Sequence, residues 1–540
     1  MTADGARPVP PQSKPAPPPA PAGRRVRRRR VGLFAAMALV VCVFTIDFAM
    51  MPRTFLPGDP FAWREETMAI LRDRRLSIDP AIAAQMNGQS PGAYFDRNVA
   101  NGRYYSKYGV MNALMSAPPF LMEMLYFGRV ANSADAGIVI FNLYYIVLSV
   151  MVALALWALT GRYSPRPWMR FALVFIAMYA TYLWYYQRAQ GAEIYQTLFF
   201  TCFFYSTVRA VQAVRDRGHV TRTDRRWLLI GWLFLAALVY TREVFAVLLA
   251  APELALAWAI WSAPGSNRFK IALRKLPLLL LPPAAIVLGL AWINRVKFGS
   301  IWLTGYHQWR PEIHVPTGPM AQGLGGILFS WQWSIFLYFP ILGLGLLAAR
   351  PFWKRFRADA VLMLTSFVPY LLLLSKIPSW RGEEGYGPRY FLFALPVLSM
   401  PFILVLEWFW QSRQRLWAWI PAVIVLAALG YSAYLQFQVN CEDFFVAYRA
   451  RAPLESILTR DMHSVFWDHN TGTIVADLVR CQNHPDDLPF FPLLTQVESS
   501  NRIALYRRYL YTLIGQTNLY WWPPDPPPPG WDSIANQPAP

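Results

Sequence analysis

The sequence predicts an all-α polytopic membrane protein, and three observations predict it. Of 540 residues, 55% are hydrophobic, 16% aromatic and only 15% charged, a balance too apolar for an ordinary water-soluble fold. The apolar residues gather in long runs between Val31 and Phe437. Lys and Arg recur between those runs, which is how a membrane protein encodes its orientation. The net charge of +20 therefore does not describe a nucleic-acid binder, whose basic groups would share one surface.

Residues 1–30 are Pro-rich and end in the basic run Arg24-Arg-Val-Arg-Arg-Arg-Arg30, a composition that cannot bury a core and predicts a disordered cytoplasmic tail. The run after it, Val31 to Ile46, lacks a small-residue cleavage site and leads into Asp47 and Phe48, so it reads as a retained first span rather than a signal peptide. The polar stretch that follows then lies outside, and the first outer loop covers residues 52–135. Within it, Val110 to Phe127 is apolar enough to span but carries Pro118-Pro119, which a helix tolerates poorly.

Charge decides that segment. If it crossed, Arg162, Arg166 and Arg170 would face outward and every later basic loop would invert. Lying along the outer surface, it leaves those arginines and four more basic clusters in the cytoplasm: Arg215/Arg217/Arg222/Arg225/Arg226, Arg268/Lys270/Arg274/Lys275, Arg350/Lys354/Arg355/Arg357 and Arg413/Arg415.

The spans are then 31–51, 136–160, 170–187, 191–212, 227–241, 243–262, 275–293, 325–348, 358–375, 389–408 and 417–437. These are about eleven helices, most of them matched to a hydrocarbon core of ~30 Å. The transmembrane part covers residues 31–437, and an odd count leaves the C-terminal region 438–540 outside as a small appendage with a loose, Pro-rich end. Cys42 and Cys202 lie in apolar runs and read as small buried hydrophobes. Cys441 and Cys481 share the C-terminal region, where a disulfide and two free thiols are both open.

Charged groups at membrane depth are expensive, so they point to function. Asp47 closes the first span, and Asp59, Glu65 and Glu66 follow it closely; a carboxylate there can act as general base for an acceptor hydroxyl or amine. Any one of these four could equally be a solvated loop acid. Lys107 lies within Gly102-Arg-Tyr-Tyr-Ser-Lys-Tyr108, where Tyr104 and Tyr105 mark headgroup depth and the ammonium suits a phosphate. A snorkelling anchor would look similar. Arg389 closes Trp380-Arg-Gly-Glu-Glu-Gly-Tyr-Gly-Pro-Arg389, and Arg242 sits at a tight connection beside Glu243, with which it could form an internal ion pair. Arginine offers a planar fork of donors suited to phosphate. His307 and His314, near Glu312, match no metal-ligand spacing. A divalent ion could assist, but no ligand set is legible. The sequence also carries no Walker loop, dinucleotide glycine fingerprint or nucleophile elbow, so the donor must arrive already activated.

At these residues the sequence resembles the GT-C class of membrane glycosyltransferases, in particular bacterial relatives of protein O-mannosyltransferases and lipid A aminoarabinose transferases. The resemblance runs from the first span to about the eleventh. Gly102-Arg-Tyr-Tyr-Ser-Lys-Tyr-Gly109 with Pro118-Pro119-Phe120 looks like the loop motif whose lysine contacts the carrier phosphate. Phe298-Gly-Ser, Thr304-Gly-Tyr306, Leu328-Phe-Ser330, Tyr338-Phe-Pro340 and Gly385-Tyr-Gly-Pro-Arg-Tyr390 resemble further elements in their usual order.

The class implies an acidic base in the first outer loop, and interfacial helices rather than a second span there. Many relatives carry a plain Asp-Glu pair after the first helix, whereas this chain has Gly58-Asp59-Pro60 and later Glu65-Glu66. Asp59 is preferred for its position, then Glu65 or Glu66, then Asp47. The expectation is a transferase of the bacterial cytoplasmic membrane, N-terminus inside and C-terminus in the periplasm. It would move a sugar from a polyprenyl-phosphate carrier to a lipid, glycan or protein acceptor. A flippase for the same lipid-linked sugar is the alternative, and a non-catalytic assembly subunit the third reading. The large outer loop favours the enzyme, because alternating access usually places a site at the bilayer midplane.

Overall fold

A computed structural model describes residues 22–52, 59–87, 92–127, 137–217, 219–262, 268–308, 316–330, 333–378, 380 and 386–441. The described residues are overwhelmingly helical, with a single two-stranded hairpin as their sheet. Seven helices are long and apolar enough to cross a membrane: Arg30–Ala49, Ile138–Thr160, Glu243–Ser262, Leu280–Phe298, Arg357–Ser375, Leu395–Ser412 and Leu416–Phe437. The chain is an all-α polytopic membrane protein.

The helices follow from the sequence in order. Helix α1, Ala22–Ala49, begins upstream of the apolar run and reaches into the basic segment, and it packs against α5, Ile138–Thr160. The first loop between them carries α2 (Asp59–Asp73), α3 (Pro80–Asn87), strands β1 (Phe95–Arg97) and β2 (Tyr104–Ser106), and α4 (Val110–Phe127). Helix α4 runs through Pro118 and Pro119 without a break and is not among the seven candidate spans. It packs on α2, where Thr67 Oγ1 donates to Ala113 O at 2.9 Å, and exposes Leu114, Leu121, Met122 and Leu125.

Three expected spans are not single helices. The 170–187 run splits into α6 (Pro167–Tyr179) and α7 (Leu183–Arg188). Backbone donors at the break are diverted: Leu183 N to Thr181 Oγ1 at 3.2 Å and Tyr182 N to Tyr338 O at 3.2 Å. The 325–348 run ends one helix at Phe329, restarts behind a Ser334 cap and restarts again at Pro340, which has no backbone N–H to continue a helix. The 389–408 run likewise opens as the 3₁₀ turn Arg389–Phe391, and the candidate span Leu395–Ser412 is itself two helices, Leu395–Leu398 and Phe402–Ser412, parted by a turn at Pro401.

Helices α8 (Glu193–Arg217) and α9 (Arg222–Val239) form the tightest pair, joined by a short turn whose Thr221 and Asp224 make a capping box. Cys42 and Cys202 are half-buried free thiols rather than core residues. The Cys441–Cys481 pairing, most of the C-terminal region, residues 1–21, Glu312 and His314 lie outside the described residues.

Candidate active site

Five connections that the charge pattern assigns to one face converge on a single cluster. The first loop contributes Asp59, Lys107 and Tyr108; the α7–α8 connection leads into Glu193; the turn after α9 carries Arg242. The segment after the long helix Arg268–Phe298 brings Tyr306, and the 386–390 segment brings Arg389.

Local structure sets each side chain. Asp59 opens α2, followed by Pro60, whose fixed φ and missing N–H suit a first helical position. The buried face of α2 presses Trp63 edge-on against Tyr108 at a centroid distance of 5.2 Å, and the Tyr108 hydroxyl donates to Asp59 Oδ1. Gly109 then lets the chain dock where any side chain would collide: a Cβ there would meet Tyr240 O at 2.1 Å. Asn112 Nδ2 completes the dock by donating to Thr241 O at 3.0 Å, while Tyr195 OH fixes the Asn112 amide at 2.7 Å. That docking sets Arg242 beside the lysine loop.

Arg389 is aimed by its backbone. Tyr186 OH donates to Tyr386 O at 2.8 Å, Tyr182 OH to Pro388 O at 3.1 Å and Tyr370 OH to Tyr390 O at 2.9 Å. A segment so pinned carries a guanidinium with little orientational freedom. Its Nη2 lies 3.6 Å from Asp59 Oδ2, and its Nε is buried without a hydrogen-bond partner among the described residues. Tyr390 takes Arg242 at 5.0 Å and Arg389 at 5.4 Å from its ring centroid. Arg242 pairs with Glu193 at 3.7 Å, not with its chain neighbour Glu243.

Lys107 is almost wholly buried and sits in an aromatic cage. Its Nζ lies 5.1 Å from the Tyr108 ring centroid, 5.5 Å from Tyr306 and 5.8 Å from Tyr94. Tyr104 and Tyr105, the expected aromatic partners, belong to β2 instead; the Tyr105 hydroxyl accepts from Asn101 Nδ2 at 3.3 Å.

The electrostatics of Asp59 combine opposing effects. Burial alone would raise its carboxyl, but Arg389, Lys107, the Tyr108 hydrogen bond and Arg242 together hold it below the ordinary carboxylate value. Burial and the Asp59 charge push the Tyr108 phenol well above its usual range, so it remains a proton donor. Asp59 keeps 24% of its side chain exposed, which leaves it an open side.

The other three acids part company with this cluster. Glu66 is fully buried in an ion pair with Lys297 at 2.7 Å, and Lys297 Nζ also donates to Tyr108 O at 2.7 Å. Burial raises the Glu66 carboxyl, with Lys297 opposing. Glu65 lies half-buried on α2, its charge felt by Arg72. Asp47 is buried in the last turn of α1, where Tyr179 OH donates to it at 3.2 Å. Glu193, Tyr94, Tyr306 and Tyr390 complete the cluster; Tyr306 and Tyr390 stand in motifs that the sequence singles out, whereas Glu193 and Tyr94 do not. With aromatic residues at 16% of the chain, a lone tyrosine such as Tyr94 does not stand out, and an ionic partner distant in sequence leaves no local trace.

No group of three His, Cys, Asp or Glu among the described residues is placed to hold a metal ion. At Asp59 the donor set does not suit one either, because Arg389, Lys107 and Arg242 would repel a further cation.

No protein-family model matches the chain, and no curated protein matches it. Among solved structures it is similar to the archaeal oligosaccharyltransferase AglB from Archaeoglobus fulgidus in complex with an inhibitory peptide and a dolichol-phosphate. That match has 12% identity and a TM-score of 0.44, covering 80% of this chain and 60% of that one. It is also similar to the apo form of the Archaeoglobus fulgidus oligosaccharyltransferase (10%, TM-score 0.46, 80% and 60%) and to its complex with Zn and sulfate (11%, 0.43, 80% and 57%). The chain spans about three-fifths of the length of these proteins.

Proposed function

We propose that the chain is a GT-C-like glycosyltransferase that moves a sugar from a polyprenyl-phosphate carrier to a lipid, glycan or protein acceptor. The reaction would occur at the outer face of the bacterial cytoplasmic membrane, with the N-terminus cytoplasmic and the C-terminal region periplasmic. One observation carries the reading: an ionised, partly open carboxylate, Asp59, is set among three cations, Lys107, Arg242 and Arg389, in a tyrosine-lined site. A phosphate needs the cations and an acceptor needs the base.

The cluster supports a single displacement. The acceptor oxygen or nitrogen forms a bond to the sugar C1 as the C1–O bond to phosphate breaks. The bonding pair leaves on the phosphate, and the acceptor proton goes to Asp59. Arg389 and Lys107 stabilise the growing negative charge in a site partly shielded from water, where such contacts are stronger. Configuration at C1 is inverted.

The resting Asp59–Arg389 contact has a role in this sequence. A carboxylate held low is ionised but a weak base. When the carrier phosphate takes the Arg389 guanidinium, the largest attraction holding the Asp59 proton off is divided, and its basicity rises as the donor arrives.

The test is transfer in lipid nanodiscs from a radiolabelled polyprenyl-phosphate sugar to a membrane extract, with the anomeric configuration of the product read by NMR. Label moving to the acceptor with inversion supports the reading. Label crossing the bilayer while still carrier-linked replaces it with a flippase.

A further inference from the structure

A second carboxylate lies close enough to Lys107 to feel its charge. Asp96 of β1 is fully buried, and its Oδ2 is 2.5 Å from His307 Nδ1. Neither Asp96 oxygen nor His307 Nε2 has a hydrogen-bond partner among the described residues. The His307 Nδ1 also faces Thr304 O at 2.9 Å, which closes the 304–307 turn on itself. Burial raises the Asp96 carboxyl to about 7, opposed by the Lys107 charge.

The turn crosses Lys107 at close quarters. Gly305 lies so near that a Cβ would meet Lys107 O at 2.1 Å, and the next residue, Tyr306, supplies one wall of the lysine cage. On the far side Gln308 is clipped to the same strand, its Oε1 accepting from Arg97 N at 3.3 Å and its Nε2 donating to Arg97 O at 3.0 Å. Gln308 alone would hold the turn to the hairpin. A buried acid costs far more than an amide clip and demands a paired partner.

We propose that Asp96 and His307 are positioning residues that latch the 304–308 turn over Lys107 and so preset its ammonium for the carrier phosphate; this rests on the function proposed above. A lysine has a flexible four-carbon stem, and freezing it before the ligand arrives removes an ordering cost from binding. The latch acts through Tyr306 and Gly305 and touches neither sugar nor phosphate.

The experiment is equilibrium binding of radiolabelled polyprenyl phosphate to the full chain in nanodiscs. Asp96→Ala and His307→Ala should each weaken binding about tenfold, a modest loss of preorganisation. His307→Asn, which returns a donor near the Nδ1 position, should recover most of it. In a Lys107→Met background, where Arg242 and Arg389 still bind, Asp96→Ala should cost nothing more, since the pair then has no ammonium to position.

An equal loss in both backgrounds would make the pair merely structural, and wild-type affinity in both alanine variants would remove it from binding altogether. If an alanine variant loses its cooperative thermal transition, Asp96→Asn, which keeps the side-chain shape, takes its place in the same cycle. A wild-type chain that does not bind polyprenyl phosphate overturns the functional reading and the latch together. Normal wild-type binding with an indifferent Asp96 overturns the latch alone.

Discussion

Asp59 and Arg389 meet at 3.6 Å although one opens α2 in the first loop and the other lies just before the penultimate candidate span, Leu395–Ser412. Their contact joins segments far apart in the chain and holds the proposed base beside the proposed phosphate ligand before any substrate arrives.

Asp59→Asn should keep the fold and carrier binding while lowering transfer by about 10²–10⁴, the usual worth of a positioned base. Glu65→Gln should transfer at close to the wild-type rate, because its charge is felt by Arg72 and is not among those acting on Asp59, Arg242 or Arg389. Initial rates with labelled donor measure both, and the reverse ranking would move the base along α2.

Glu66 and Lys297 answer to a different assay. Removing one partner leaves the other charge buried and unpaired, so Glu66→Gln or Lys297→Met should destabilise by about 3–5 kcal/mol. The Glu66→Leu/Lys297→Met double variant should recover much of that loss. Thermal unfolding in detergent reads it; unchanged stability with abolished transfer would return Glu66 to the catalytic candidates.

The pH dependence follows from the depressed Asp59 carboxyl. A folded-state value below the unfolded 3.8 means its stabilising charge is present above 3.8 and is lost only as pH falls through the lower folded value. The base therefore stays ionised across mildly acidic pH, and kcat/KM should show no Asp59 inflection between about pH 5 and 8. Arg389→Gln removes the largest opposing charge and leaves burial to raise the carboxyl, so an acid limb should enter the profile at higher pH. A profile that does not move on this change would mean the contact does not govern Asp59.

Lys107→Arg should not substitute for lysine. The cage of Tyr94, Tyr108 and Tyr306 encloses a compact ammonium, and a planar guanidinium is larger and differently shaped. Donor KM should rise by about tenfold or more, as for loss of one charge-assisted contact. An arginine variant with wild-type KM would show that only charge matters there.

Much of this arrangement was legible because charge inside an apolar chain is conspicuous. Asp59 follows closely on the first span, Lys107 precedes the apolar segment 110–127, Arg242 interrupts apolar sequence and Arg389 borders it, and the four meet in one cluster. The ranking of acids was less legible: Glu66 stands beside Glu65 in sequence, but one turn of α2 buries it on Lys297. The breaks near Thr181, Ser330 and Pro396 escaped a reading by hydropathy, because a polar cap or a proline ends a helix without making its surroundings less apolar. The Asp96–His307 contact joins residues far apart in the chain, and spacing alone could not pair them.

The most direct measurement is single-turnover transfer in nanodiscs from a labelled polyprenyl-phosphate sugar, comparing the intact chain with Asp59→Asn at matched donor occupancy. Donor binding should be equal, with label reaching the acceptor only from the intact chain. Equal transfer by both proteins would contradict a base at Asp59, and so would loss of donor binding together with loss of transfer.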